Sequence, residues 1–576
     1  MTAMTSAIRK RPADLVYGLG DTPPLTALVL LGLQHVSIAC VSLLIPLMVA
    51  KAAGLPTEAL PSVISCSMIA IAITTLLHAY GSKHLGAGYL MPGYCASNYL
   101  SASIAAAQVG GMPLVYGMTL FAGAFELAVS RLLIRLRPYF PPEISGLAVT
   151  ILGIELGVIA FRNILGFHLE QGASPIGILI GFATCGLTFM LNIYGTRPVR
   201  VFCSLIGVAV GYLAAIAAGL VSEHSLSVLR AAPAIDLPQI AHLGFSFDPA
   251  LLVVFMLASL ASTLKAMGNV TTCQKINDAA WVRPDMTEIQ RGVAADGMST
   301  MLAGVMGSTG QTPSTSNISI SSATGATSRR IALPIVIWLL VMACSPKLAS
   351  VFVIMPEAVI GGILLFAACF ILVSGLQIVA SRMLDIRRTA VIGLALILAI
   401  SRYAFADAFK AMPAAVQPFV TSALSIGVFT AIVLNLILRI GVHKRAKLVF
   451  GLGEDHTAQM TAFMEKCGGS WGARAPVVQN AVHALVELSD ALRTYADATS
   501  QGTLNARFDE FSVDLSVNYR GRPMIMPGVP PTPQELMDNP DRATELGLLM
   551  LTRLADRVRI TSDSGQNHTV HLHFQH

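Results

Sequence analysis

The chain has 576 residues, 54% of them hydrophobic and only 12% charged, with a mean hydropathy of +0.67. A soluble protein of this size carries about 25% charged residues to keep its surface hydrated, so much of this chain faces lipid. The net charge of +6 is small for the length and does not point to nucleic acid. The nine cysteines are scattered without a CxxC pair or metal spacing, which reads as core filling rather than a metal site.

In chain order, residues 1–24 carry basic residues but no cleavage pattern, and read as a cytoplasmic tail rather than a removable signal. Apolar runs of roughly 20 residues then recur, each enough to cross a bilayer core of about 30 Å as a helix. Fourteen spans are predicted near 26–50, 61–80, 89–108, 112–135, 142–163, 175–195, 200–221, 249–271, 290–307, 316–327, 330–346, 355–377, 384–405 and 419–441. Lys and Arg in short loops stay in the cytoplasm. With the N-terminus inside, cytoplasmic loops hold Lys83, Arg131, Arg135, Arg137, Arg197, Arg200, Lys275, Arg283, Arg329, Arg330, Arg382, Arg387 and Arg388. The opposite loops hold Lys51, Arg162, Arg230, Lys347, Arg402 and Lys410. Adding or dropping one span would reverse that bias downstream, so both termini are expected in the cytoplasm.

Spans three and ten differ from the rest. GAGYLMPGYCASNYLSAS (86–103) and TPSTSNISISSATG (312–325) are broken by Gly, Pro and hydroxyl residues. They occupy equivalent places in two sets of seven, which points to an inverted-repeat transporter with a site at the membrane midplane. Non-helical backbone at that depth must be satisfied by protein or line a cavity; the plainer reading is a pair of re-entrant surface loops. After Lys447 the composition becomes that of a soluble domain. Helical patterns at about 455–466 and 475–497 precede strand-like alternation in FDEFSVDLSVNYRGRPMIM and VRITSDSGQNHTVHLHF.

Several motifs together resemble the nucleobase-ascorbate transporter family, also called nucleobase cation symporter-2. Gln34-His35 looks like its first-span motif and Ala295-Asp296-Gly297 like its ninth. Ser316, Asn317, Ser319, Thr324 and Gly325 align with its tenth-span signature, and Met355-Pro356 with Gly361-Gly362 resembles the start of its twelfth. The resemblance implies an α-helical polytopic membrane protein, not an enzyme, with 14 spans in a 7+7 inverted repeat and short strands in spans 3 and 10. It divides residues 25–445 into a core (about 25–137 and 249–346) and a gate (about 140–221 and 355–441); beyond the resemblance, composition and patterning point to a cytoplasmic α/β domain over 446–576. It also implies an elevator-type carrier, homodimeric through the gate, that needs no cofactor or metal and is coupled to H⁺ or Na⁺. On this reading Cys95, Ala96 and Ser97 lie on one strand and Ser314, Thr315 and Ser316 on the other, with a half-helix starting near Asn317.

The departures bear on substrate. The family's eighth-span glutamate is replaced by Lys265, its next acidic or histidine position by Asn269, and the acceptor before the signature Asn by Ser316. A carboxylate accepts hydrogen bonds, whereas an ammonium only donates them. Substrate contact is therefore expected from Cys95, Ala96, Ser97, Lys265, Asn269, Thr315, Ser316 and Asn317, with a purine-like or related oxo-rich solute of the xanthine/urate class. The alternatives are a small organic or inorganic anion on the same fold, or a transporter-like sensor signalling through the C-terminal domain. Lys265 either binds substrate or pairs internally with Asp296 or Glu155 in place of a coupling cation. Gln34, His35, Glu155, Asp296 and Thr324 are expected in coupling or structural roles. The tail is similar in pattern to the histidine-kinase-like ATPase fold of anti-sigma-factor kinases. Asn518 stands at an Asp position, only Gly521 and Gly547 remain of the Gly-rich motifs, and no helix Asn follows Glu487, so lost nucleotide binding and a regulatory or dimerising role are expected.

Overall fold

The computed structural model describes residues 10–575 except 14, 83, 137–141, 167–173, 197–198, 201, 222, 224–226, 228, 231, 237–243, 282–283, 381–385, 414–415, 417–419, 421, 439–443, 453–455, 474, 510–511, 527–540 and 564–566. Lys83, Arg137, Arg197, Arg283 and Arg382, part of the charge pattern above, lie outside the described residues. The chain divides into two compact units, Met1–Ile437 and Leu438–His576.

In the first unit every expected span has a helical counterpart. Span 1 is α1 (Leu25–Ser42) and α2 (Leu44–Ala52); Pro46 has no N–H for the Ser42 carbonyl, so the helix breaks there. Span 2 is α3 (Leu60–Ala79), and span 3 starts with β1 (Gly93–Cys95) and a 3₁₀ turn at Ser97–Tyr99. Next comes α4 (Leu100–Leu136), two helices joined where Gly111 takes φ 65°, a left-handed value that suits glycine. This break separates spans 3 and 4. The next helices are α5 (Pro142–Leu165), α6 (Pro175–Tyr194), α7 (Cys203–Ala217), α8 (Pro249–Ile276) and α9 (Met286–Val305).

Span 10 is β2 (Gln311–Pro313) followed by α10 (Thr315–Thr324). Span 11 is bent by 82° between α11 (Ala332–Ala343) and α12 (Pro346–Val353), because Ser345-Pro346 starts a new helix. Spans 12 to 14 are α13 (Glu357–Val379), α14 (Ile386–Ala404) and α15 (Ala423–Leu438). Ser174-Pro175, Asp248-Pro249 and Ser345-Pro346 follow one rule: the side chain caps a free N–H, and proline occupies the first helical position, where no donor is needed. Among the described residues, seven helices are by themselves long and apolar enough to cross a membrane. The remaining spans are short, broken or more polar.

The strands lie upstream of the expected positions. Of Cys95, Ala96 and Ser97 only Cys95 is in β1, and Ser314, Thr315 and Ser316 all follow β2. The reason is local: the Ser314 hydroxyl accepts the Asn317 N–H (3.3 Å), so Ser314 is an N-cap and the helix begins at Thr315. At its far end Gly325 takes φ 64° as a left-handed C-cap. The N-terminal segment fastens there. Tyr17 N–H donates to the Gly325 carbonyl (2.9 Å), and Thr327 N–H donates to the Tyr17 carbonyl (2.8 Å).

The second unit is an antiparallel sheet in the order β3-β4-β5-β7-β6, formed by β3 (Lys444–Gly451), β4 (Gln501–Phe508), β5 (Ser512–Arg520), β6 (Arg557–Ser562) and β7 (Asn567–Gln575). Helices α16 (Thr457–Trp471), α17 (Ala475–Tyr495) and α18 (Asp541–Leu554) complete it. Period-two alternation puts Leu504, Ala506, Leu515, Val517, Val570 and Leu572 in one core with Leu485, Leu488, Leu492 and Leu551. Strand β3 was not expected from the sequence. The opposite face of the sheet is polar, and there His573 Nδ1 meets Asp514 Oδ1 at 2.6 Å.

That hydrogen bond, helped by the Asp514 charge, raises the His573 pKa above the usual histidine value. Burial pushes Asp514 up, but His573, Ser512 and Arg507 outweigh it and hold the carboxyl below its usual value. The pair therefore contributes fully between about pH 4 and 6.5, the unfolded values. Its contribution fades as pH rises through the raised His573 value and as pH falls through the lowered Asp514 value. His573→Gln is expected to speed amide exchange in β7 relative to the native chain at pH 6, with the difference shrinking by pH 9; an unchanged ratio across that range would refute this linkage.

Candidate functional site

The centre of the first unit is the antiparallel pairing of β1 and β2, with Gly93 opposite Pro313, Tyr94 opposite Thr312 and Cys95 opposite Gln311. Two three-residue strands cannot satisfy their backbone alone, so hydroxyls on neighbouring spans complete the job. Gly93 N–H donates to Thr75 Oγ1 on α3 (3.0 Å), and Cys95 N–H donates to Ser42 Oγ at the break in span 1 (3.1 Å). Thr300 Oγ1 on α9 donates to the Gln311 carbonyl (2.9 Å). Thr75 and Thr300 thus serve as strand anchors on spans 2 and 9, equivalent places in the two sets of seven.

Helix α8 lays one polar stripe along this pair. Ser262, Lys265 and Asn269 are three and four residues apart, so they share a face. Ser262 Oγ donates to Asp296 Oδ2 (2.9 Å), which also accepts from Thr312 Oγ1 on β2 (3.1 Å). Lys265, half-buried, donates to the Tyr94 hydroxyl and has its ammonium 4.4 Å from the centre of the Tyr94 ring. Asn269 Nδ2 donates to the Pro313 carbonyl (2.9 Å), and its Oδ1 accepts from Thr315 (2.9 Å). Lys265 forms no ion pair with Asp296 or Glu155; its partner is an aromatic hydroxyl that the sequence reading did not single out.

The other expected residues fall in two groups. His35 Nδ1 meets Asn317 Oδ1 at 3.0 Å, both fully buried, joining span 1 to the start of α10. His35 Nε2, Asn317 Nδ2 and Ser97 Oγ are buried and have no hydrogen-bond partner among the described residues. Thr315 and Ser316 are exposed at the first turn of α10, where backbone N–H groups have no intrahelical acceptor. Ala96, on the turn after β1, is buried. Glu155 on α5 accepts from Ser101 on α4 (2.7 Å), Thr324 bonds back to the Ile320 carbonyl (2.8 Å), and Gln34 is buried beside His35 on α1.

Behind the strands, α4 and α9 cross at backbone contact. A Cβ on Gly297 would lie 2.7 Å from the Leu127 nitrogen and 2.8 Å from the Gly123 carbonyl oxygen. That close approach explains the glycine of the Ala295-Asp296-Gly297 motif. It also brings Glu126, absent from the expected site, up to Asp296.

The family model Xan_ur_permease, described as "Permease family", matches residues 26–407. The chain belongs to this family. It is a permease rather than an enzyme, and the motif set read from the sequence is that of the same family. Among curated relatives, xanthine permease XanQ of Escherichia coli is 28% identical over 464 residues, 75% of this chain and 96% of its own. Xanthine permease XanP of the same organism is 25% identical over 440 residues, 74% of this chain and 95% of its own. The solved structure of the murine Solute Carrier 26 family member A9 anion transporter in the inward-facing state superposes with a TM-score of 0.50 at 10% identity, covering 74% of this chain and 70% of that one. At that identity the likeness concerns the fold: a multi-pass helical membrane protein of seven plus seven spans.

Gly297→Ala is expected to wedge α4 from α9 and destabilise the permease by about 1–3 kcal/mol, the usual cost of overpacking. Thermal unfolding in detergent reads this as a lowered midpoint, and an unchanged midpoint would show that the crossing yields without strain.

Proposed function

We propose that this permease is a secondary-active, elevator-type transporter of a purine-like nucleobase or related oxo-rich solute of the xanthine/urate class. It works in the cytoplasmic membrane, as a homodimer, with both termini in the cytoplasm. Family membership and the named substrates of XanQ and XanP support the nucleobase class. One geometric observation supports the oxo-rich choice: the groups around the strand pair offer hydrogens. An ammonium has three donors; Lys265 gives one to Tyr94 and keeps two for carbonyl or anionic oxygens. The free N–H groups at the first turn of α10 add further donors and a positive dipole end.

A solute bound between the Lys265 face of α8 and the start of α10 would engage elements held together by the strands, and the core would carry it as a body. The same donor set favours a second reading, a small organic anion on this fold. The C-terminal unit fits a regulatory or dimerising module without nucleotide binding. Asn518 supports this, because it is already used within the sheet, donating to Thr503 Oγ1 (3.2 Å) and accepting from Thr569 (2.8 Å).

The test is uptake of xanthine, urate and uracil into proteoliposomes, with Lys265→Gln alongside. Hydrogen bonds to charged groups contribute about 1.5–3 kcal/mol, so the variant is expected to lose xanthine or urate affinity by about tenfold or more. Full affinity in Lys265→Gln would remove the lysine from the site. Uptake of small organic anions without uptake of purines would select the second reading, and binding without flux would make the protein a sensor.

A further inference from the structure

Spans 2, 4 and 9 bring three ionisable side chains to one place behind the strand pair. Glu126 on α4, Asp296 on α9 and His78 on α3 are each fully buried. Ser262 and Thr263, adjacent on α8, hold the Asp296 and Glu126 carboxyl groups where α9 and α4 cross at Gly297 and Gly123, within hydrogen-bonding reach of each other. Glu126 Oε1 accepts from Thr263 Oγ1 (3.1 Å) and Oε2 from the Tyr99 hydroxyl (3.4 Å). Asp296 Oδ2 accepts from Ser262 and Thr312, while its Oδ1 accepts no hydrogen bond among the described residues. Among the described residues neither ring nitrogen of His78 has a hydrogen-bond partner, and His78 Nε2 stands 4.0 Å from that same Oδ1.

We propose that Glu126 and His78 complete a proton-binding site with Asp296: the two carboxyl groups share a proton, and His78 is the adjoining proton station. A hydrogen bond between two carboxyl groups needs a hydrogen, and two adjacent carboxylates in a fully buried site are not both charged. The charged and titratable groups around the pair are Tyr99 from the turn after β1, His78 from α3 and Lys265 from α8; Lys265 is turned to Tyr94, and β2 contributes only the Thr312 hydroxyl. The four surrounding hydroxyls give their hydrogens to the carboxyls.

The link to substrate is short. Asp296 is bonded to Thr312, the partner of Tyr94 across the strands, and Tyr94 holds Lys265. Gain or loss of the proton changes how many hydrogen bonds Asp296 accepts from Thr312 and Ser262, and so the footing of the strand that faces the substrate. With one shared proton the pair carries one negative charge, which balances Lys265; with none, the buried interior is left with an unpaired charge.

This inference rests on the transport reading, and the experiment separates their failures. In proteoliposomes containing a pH-sensitive dye, external xanthine is expected to acidify the lumen with the native chain and not with Glu126→Gln or Asp296→Asn, and replacing Na⁺ by K⁺ is expected to have no effect. Proton movement at the native ratio in Glu126→Gln, or uptake that follows Na⁺ without protons, overturns the proposal. Should the native chain move no solute, the transport reading fails. The proton site is then decided on the purified full chain by infrared spectroscopy across pH. A buried carboxylic-acid carbonyl band that both Glu126→Gln and His78→Gln alter supports the site, and a band unaffected by either refutes it. The infrared measurement needs only folded protein, so a variant that inserts but does not transport still gives an answer.

Discussion

Within a bilayer every backbone N–H and C=O needs a partner from the protein itself, and this permease interrupts two of its spans with extended chain at its centre. The rest of the first unit follows from meeting that demand. Each strand supplies part of the other's hydrogen bonding, and hydroxyls from α3, α9 and the break in span 1 supply more. These anchors must approach closely, so small residues occupy the crossings. A Cβ on Gly93 would lie 2.6 Å from Thr74, the neighbour of the threonine that accepts its N–H. The polar groups of the candidate site are placed by the same contacts. Tyr94 is held by β-pairing, Asn269 by the end of β2, and Asn317 by His35.

Much of this architecture could be read in the sequence because helix breakers and caps are local signals. Gly, Pro and hydroxyl residues at 86–103 and 312–325 located both broken spans, and the Gly110-Gly111 break fell between two expected spans. The strand positions could not be read as well: TPSTS contains several hydroxyls able to cap a helix, and only the fold shows that Ser314 does so. Strand β3 was hidden for a related reason. KRAKLVFG follows directly on the last apolar run, and its edge position leaves a weak alternation, with Lys444, Arg445 and Lys447 exposed.

The site divides along another line. Lys265 and Asn269 stood out as departures at positions a pattern already marked, and helical spacing placed them on one face. Tyr94 carries no such mark, since a tyrosine in a broken span is ordinary. Glu126 and His78 did carry one: each is an ionisable group inside an apolar run, FAGAFELAVS and IAITTLLHAY, and such groups are functional by default. What the sequence lacked was their relation. Nothing in the spacing of residues 78, 126 and 296 shows that Gly123 and Gly297 let two helices touch and bring the carboxyls together.

The pairing of Tyr17 with Gly325 and Thr327 also changes what the N-terminal segment is. A free end would normally trail from the first span, yet here residues ahead of α1 are stitched by main-chain hydrogen bonds to the far end of α10, some 300 residues later in the chain. The Ser328 hydroxyl adds a bond to the Asp21 carbonyl (2.6 Å), and Lys10 reaches the Ala279 nitrogen through its own carbonyl (2.7 Å). The segment therefore acts as a clasp closing the Gly325 end of the half-helix. Because α10 starts at the strand pair and ends under this clasp, the strand pair and residues 17–21 are joined to opposite ends of one ten-residue rod.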